Sequence, residues 1–539
     1  IHEVYFALID NNLVSTSKIA QGNTENERDV YAAFQSKKEQ IFDLLRSELT
    51  SSPTAYGQLS EEEQAYIWYI YKDLANGIFN SNNVDTNDSV YKDWTNGNST
   101  SLEQLLRYSI TKNWINMSDF TSEQYTSLDE AYNELVNYIF DVLETDADFH
   151  KKLYKYMIEN GNISGRQVCM MLFEQGFLQG DDDYQALSSG RISAYDFMSS
   201  CISSKRITPA QLALQPCSGS CVITDPNNGN VLALVSYPSY DNNRMSGTID
   251  ADYYKQLNND KSNPLYNWAT QAQNAPGSTY KVCTSIMALD MGIINSSTSF
   301  YCSGTFDKIT PSPRCWVRSG HGTETVTTAI RDSCNLFFYN VGYNLALSNG
   351  LFDNTYATSV MQKYAEELGL ATMSGIEIAE KAPSASNIDA VYSAIGQGNH
   401  AYSTLNLARY VTTVANSGTC YNLTLIDKIT DNNGNLIRDN SAEVANVMNI
   451  SQSIWDTVHY GMNLVVNTYS ALSKVNLNFA AKSGTAQENK KEPDHAMMIS
   501  YAPYDNPQIA MAVSIPHGYS GSQASELTAK VLNLYFGLE

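Results

Sequence analysis

The chain has 539 residues, enough for about two to four domains and for a core that needs neither disulfides nor metals. Hydrophobic residues make up 43% and charged residues 17%, which excludes a largely disordered chain and a coiled coil. With 34 basic against 57 acidic residues the net charge is −23, so bulk attraction to nucleic acid or to an anionic membrane is excluded as well.

No run of about 18 apolar residues is present, so no membrane-crossing helix is predicted, and no signal peptide is visible. The chain opens Ile1-His2-Glu3, and any anchor or export signal is expected in a segment ahead of it. Up to residue 205 apolar residues recur at spacings of three and four, the pattern of amphipathic helices. Helices are predicted over Ala32–Leu49, Glu61–Ile78, Leu128–Leu143 and Tyr154–Phe177. The acidic run Asp181-Asp182-Asp183 reads as a solvated loop or helix cap. Residues 1–205 hold no chemical constellation and read as a mainly helical docking domain.

After the connector Lys205-Arg206-Ile207-Thr208-Pro209 the texture changes. The β-type runs Cys221–Thr224 and Val231–Val235 flank a turn cluster and predict a hairpin. Helices are predicted over Thr279–Leu289, Val326–Ala346, Leu405–Ala415 and Ile454–Val466. Strands follow over Phe479–Thr485, Ala496–Tyr501 and Gln508–Ile515, then a last helix over Glu526–Tyr535. The expected fold class of residues 206–539 is α+β: one antiparallel sheet, closed by the two ends of this region and flanked by helices, with a helical lobe beside it.

Three short segments carry the chemistry. In Pro276-Gly277-Ser278-Thr279-Tyr280-Lys281 a turn leads into a helix, where positions i and i+3 share a face. Lys281 Nζ is therefore expected beside Ser278 Oγ. A serine hydroxyl is a weak nucleophile until a base takes its proton, and a lysine of lowered pKa is such a base. In Ser333-Cys334-Asn335 the serine is suited to relay a proton and the asparagine to hold a substrate amide. In Lys482-Ser483-Gly484-Thr485 the lysine adds positive charge that helps keep Lys281 neutral, and the hydroxyls of Ser483 and Thr485 suit a carboxylate. Gly484 is expected to leave room for a substrate backbone along the strand. Each segment alone is weak. They gain weight from their order, the second about 55 residues after the first and the third about 150 after the second.

The triple resembles that of the penicillin-binding proteins and serine β-lactamases. Its flanks resemble class B penicillin-binding proteins of the elongation type: Gly229 to Asn243, Ala275 to Lys281, Gly320-His321-Gly322, Ile395-Gly396-Gln397-Gly398, Ala481 to Gln487, and His495 to Pro503. The resemblance covers about residues 206–539, whereas residues 1–205 fit the helical part of a pedestal domain only loosely. Three features depart from the family: Trp268 where an Arg is usual, Ser403-Thr404-Leu405 where Thr-Pro-Leu is common, and no Arg-Gly-x-Ile opening to the pedestal.

The resemblance implies a peptidoglycan D,D-transpeptidase that is acylated by β-lactams and requires no cofactor for its chemistry. Ser278 would be the nucleophile, Lys281 the general base, Ser333 with Lys482 the proton relay, and Asn335 the amide holder. Ser483 and Thr485 would bind the terminal carboxylate, and the N–H groups of Ser278 and Thr485 would form the oxyanion hole. It also implies peptidoglycan stem peptides as substrates and a SEDS-family glycosyltransferase as membrane partner, with the protein anchored at the extracytoplasmic face. A hydrolytic β-lactamase and a non-catalytic β-lactam sensor or scaffold are the rival readings.

Nine cysteines are present. Most read as buried apolar thiols. Cys302, Cys315 and Cys334, with His321 among them, suit a structural tetrahedral Zn²⁺. Asp494 or His495 is an alternative to His321 as ligand. A Cys302–Cys315 disulfide and free thiols are the alternatives to a metal.

Overall fold

Serine and threonine caps set the helices of the first half. The computed structural model describes residues 1–74, 79, 83–97, 99–115, 127–204, 206–260, 262–348, 350–440, 443–487 and 492–538. By its contacts the chain divides into two units, Ile1–Leu212 and Ala213–Glu539. In the first, Thr24 and Glu27 form a capping box that opens helix Glu25–Thr50. Ser127 with Glu130 and Ser164 with Gln167 open helices Leu128–Thr145 and Gly165–Glu174 in the same way. Each such cap is worth about 1 kcal/mol.

The segment predicted as one helix over Tyr154–Phe177 is two, Ala147–Glu159 and Gly165–Glu174. Gly161 at φ +77 ends the first, and the Ser164 cap starts the second. The segment predicted over Glu61–Ile78 is an α-helix only over Glu61–Tyr69 and continues as a π-helix to Leu74, while residues 75–78 lie outside the described residues. The acidic run occupies the first turn of helix Asp181–Ser188, where the helix dipole favours negative charge.

The second unit carries β1 (Gly219–Thr224), β2 (Val231–Tyr237), β3 (Ser299–Cys302), β4 (Gly322–Thr325), β5 (Thr419–Tyr421), β6 (Lys428–Thr430), β7 (Leu436–Asp439), β8 (Val444–Val447), β9 (Ala480–Ala486), β10 (His495–Ala502) and β11 (Ile509–Ile515). Five of them form the antiparallel sheet β2-β1-β11-β10-β9. The pairs β3–β4, β5–β8 and β6–β7 stand apart and had no sequence signal, being only three or four residues long.

The strand period of two divides the sheet between two cores. Met497, Ile499 and Tyr501 of β10 and Ala510 and Ala512 of β11 enter the core of the helical lobe. Met498, Met511 and Val513 pack on the other face with Ala524 and Leu532 of helix Gly521–Phe536. Burial on both faces explains why β10 and β11 read as near-continuous apolar runs. The same alternation on edge strand β9 sends Ala480 to the lobe core and Ala481 to the opposite one.

The helix predicted over Val326–Ala346 is broken into Val326–Arg331 and Asn335–Ala346. Between them Ser333 takes φ +52, a left-handed conformation that no continuous helix accommodates.

Candidate active site

Ser278 lies in the 3-10 turn Gly277–Tyr280, and Lys281 is the first residue of helix Lys281–Asp290. This turn is pressed between two backbones. A Cβ on Gly277 would sit 2.5 Å from Thr485 O, and one on Gly396 would sit 1.9 Å from Gly277 O. Both glycines have positive φ, +52 and +77, so no other residue fits either place without displacing the turn. Gly277 N also donates to Gly396 O at 3.0 Å. The Pro-Gly-Ser turn, the Ile395–Gly398 segment and β9 are thus locked together.

The three chemical segments converge on one cleft of about 520 Å³, whose lining includes Ser278, Ser333, Asn335, Ser483 and Thr485. Lys281 and Lys482 are fully buried beneath it. Lys281 Nζ donates to Ser333 O at 2.8 Å, to Ser333 Oγ at 3.2 Å and to Asn335 Oδ1 at 2.6 Å. Lys482 Nζ reaches the same Ser333 Oγ at 3.1 Å and Ser483 O at 2.9 Å. One hydroxyl is therefore held between two amines, which explains how the left-handed Ser333 backbone is tolerated.

Neither amine has a carboxylate among these partners. Burial lowers the Lys281 pKa to about 7. Burial, and then repulsion from Lys281, pushes Lys482 well below the ordinary lysine value. A neutral amine at this position is able to accept a proton at ordinary pH.

Two local expectations change. No hydrogen bond joins Ser278 Oγ to Lys281 Nζ, because the lysine is drawn to Ser333 and Asn335 across the helix break. Gly484 is needed for packing rather than for open space: its Cβ would meet Pro276 O at 2.7 Å and Thr279 Cγ2 at 2.9 Å. The hydroxyls of Ser483 and Thr485 already accept hydrogen bonds, from Tyr469 Oη at 2.7 Å and from Gly521 N at 3.3 Å. Their own hydroxyl hydrogens remain to donate to an anion in the cleft. Tyr469 and the start of helix Gly521–Phe536 join the lining without any signal in the sequence, and Gln397 joins it from the Ile395–Gly398 segment.

Beside the cleft, the ligand atoms of Cys302, Cys315, His321 and Cys334 lie within 4.8 Å of one another. His321 Nδ1 lies 3.6 Å from Cys302 Sγ and 3.5 Å from Cys315 Sγ. The thiol of Cys334, the amides of Leu336 and Asn335 at the start of a helix, and His321 bring the Cys315 pKa down to about 4. Sharing with Cys315 correspondingly raises that of Cys334. All nine cysteines are unbridged, and all but Cys217 are buried. Among the described residues Asp494 and His495 stand apart from this cluster. Asp494 lines the cleft, and His495 Nδ1 accepts from His517 N at 3.1 Å.

Residues 219–533 match the family model described as penicillin binding protein transpeptidase domain. The chain is similar to the peptidoglycan D,D-transpeptidase MrdA of Haemophilus influenzae, 30% identical over 358 residues that cover 59% of this chain and 52% of the relative. It spans about half the length of the curated relatives it matches. PBP2 of Pseudomonas aeruginosa in complex with WCK 5153 shares 26% identity with a TM-score of 0.52, over 59% of this chain and 73% of that one. A structure described as structural coordination of polymerization and crosslinking by a peptidoglycan synthase complex shares 27% identity with a TM-score of 0.52, over 60% and 56% of the two chains.

Proposed function

The chain belongs to the penicillin-binding protein transpeptidase family, and from that premise we propose that it is an elongation-type peptidoglycan D,D-transpeptidase of class B. The observation that carries the proposal is Ser333 Oγ held between Lys281 and Lys482 at 3.2 and 3.1 Å, in the cleft that Ser278 lines.

Ser278 Oγ attacks the carbonyl carbon between the two D-Ala residues of a stem peptide. Lys281 accepts the Ser278 proton as the C–O bond forms. The negative charge on the carbonyl oxygen falls to the N–H groups of Ser278 and Thr485. The C–N bond then breaks, and the departing D-Ala amine takes a proton through Ser333, with Lys482 supporting the relay. Asn335 holds the substrate amide, giving up its Lys281 contact as it does so. Ser483 and Thr485 donate to the terminal carboxylate. An amine of a second stem attacks the ester, forms the cross-link and frees Ser278. A β-lactam follows the first half of this path and stops at the acyl-enzyme.

Incubation with a penicillin should add one drug mass to the intact protein, and Ser278→Ala should add none. Adduct formation at another serine would overturn the assignment. Slow loss of the adduct separates this reading from a β-lactamase, and cross-linking of a stem peptide separates it from a sensor.

The thiol–imidazole cluster fits Zn²⁺ in its donor set and its grouping. Cys302, Cys315, His321 and Cys334 would hold it, as a structural brace for the segment that leads into Ser333. Near one zinc per chain is expected by elemental analysis, and Cys334→Ser should lower the melting temperature. Protein purified without chelators and free of zinc would overturn it.

We assign residues 1–205 to docking. No helix among the described residues is long and apolar enough to cross a membrane. Anchoring at the extracytoplasmic face of the membrane belongs to the same reading, with a SEDS-family glycosyltransferase as the partner. The peptidoglycan synthase complex among the similar structures supports such an assembly.

A further inference from the structure

The wall of the cleft built by the cysteine loop carries two cations that the mechanism does not use. Arg314, Trp316 and Arg318 are exposed and line the cleft with Ser278 and Ser333, while Cys315 between them is buried. The loop is well held. Cys315 N donates to Gly304 O at 2.9 Å, and Phe306 N donates to Pro313 O at 2.9 Å. Trp316, although 62% exposed, is pinned: its Nε1 donates to Asp332 O at 3.1 Å and its ring meets the His321 ring edge-on at 5.4 Å.

Neither guanidinium forms an ion pair within the described residues, and Asp494 on the same cleft is bonded to neither. The field of a protein at −23 repels an anionic substrate unless the cleft itself is locally positive. The buried lysines are poor sources of that charge, being fully engaged with Ser333, Asn335 and Ser483. The terminal carboxylate of the substrate is already provided for by Ser483 and Thr485.

We propose that Arg314 and Arg318 form a subsite for a second carboxylate on the donor peptide, carried by the residue that precedes its D-Ala-D-Ala end. The guanidinium fork suits a planar carboxylate, and the pinned Trp316 between the two gives the peptide an apolar surface to lie against. The subsite rests on the acyl-enzyme reading above and adds substrate selection to it. Because the thiol cluster holds Cys315, the same loop that braces Ser333 also sets where the two cations stand.

The test uses a matched pair of penicillins, since the penicillin side chain occupies the place of the residue preceding D-Ala-D-Ala. Benzylpenicillin carries a single carboxylate, and carbenicillin differs by a second one on its side chain. The reading is the ratio of their second-order acylation rates, carbenicillin over benzylpenicillin, by intact mass. In the double variant Arg314→Gln/Arg318→Gln the ratio should fall by about two- to fivefold, the range for partly exposed ion pairs. Arg314→Lys/Arg318→Lys should retain most of it. Arg244→Gln removes one equal charge at an Arg outside the cleft lining and should leave the ratio at the wild-type value. A ratio unmoved in the double Gln variant, or moved as much by Arg244→Gln, would overturn the subsite. Failure of both drugs to label the wild-type protein would instead overturn the acyl-enzyme reading on which it rests.

Discussion

Two amines sharing one hydroxyl set the pH behaviour of the proposed chemistry. Lys281 serves as a base only when neutral, and burial brings its pKa to about 7. Acylation should therefore rise as pH increases through about 7, and a rate that falls over that range would exclude Lys281 as the base. The linkage to stability has the same sign. Between about 7 and the ordinary value of 10.5 the unfolded chain holds a proton on this lysine that the native chain lacks, so stability should rise with pH across that window. Below about 7 both states are protonated and the burial penalty is fully present. Lys281→Ala should slow penicillin acylation by about 10²–10⁴-fold, the usual share of a general base. Ser333 allows a second test, since its hydroxyl and its backbone make separable contributions. Ser333→Gly and Ser333→Ala should both slow acylation, yet the Gly variant should be the more stable by about 1 kcal/mol, because glycine meets φ +52 without strain. Equal melting temperatures for the two would show that the backbone conformation changes with the side chain.

At the scale of elements, the nucleophile turn owes its position to close backbone packing. Gly396→Ala would place a methyl 1.9 Å from Gly277 O at φ +77. The turn must then move, and with it the Ser278 amide beside Thr485. A cost above about 1 kcal/mol is expected, together with a fall in acylation rate. A variant as stable and as reactive as the wild type would mean that this loop does not hold the turn. The helix break at Asp332–Cys334 is the other joint, because it lets one segment give Ser333 to the two lysines and Cys334 to the thiol cluster. Loss of the cluster is therefore expected to alter acylation as well as melting temperature, without abolishing either labelling or fold.

At the scale of the whole molecule, the division at Leu212/Ala213 leaves the sheet, the lobe and the cleft within one unit. Residues 213–539 alone should keep a penicillin acylation rate within a few-fold of the full chain. A large loss in a folded fragment would assign part of the site to residues 1–212 and would count against a docking role for them.

What was legible in the sequence follows from local physics. Strands β10 and β11 were readable because burial on both faces makes a strand apolar along its length. The helix starts at Glu61 and Leu128 and the Pro-Gly turn before Ser278 were readable, whereas the capped starts at Glu25 and Gly165 were not, and the four metal-type ligands were readable from their residue types. Tertiary structure decided the rest. The break at Ser333 was invisible because its left-handed backbone is stabilised by two lysines, one 52 residues before it and one 149 after it. The roles of Gly277, Gly396 and Gly484 depend on which backbone is pressed against each. Tyr469, the start of helix Gly521–Phe536 and the pair Arg314 and Arg318 entered the cleft only because sheet order and loop packing bring distant segments together, and local propensity carries no record of such contacts.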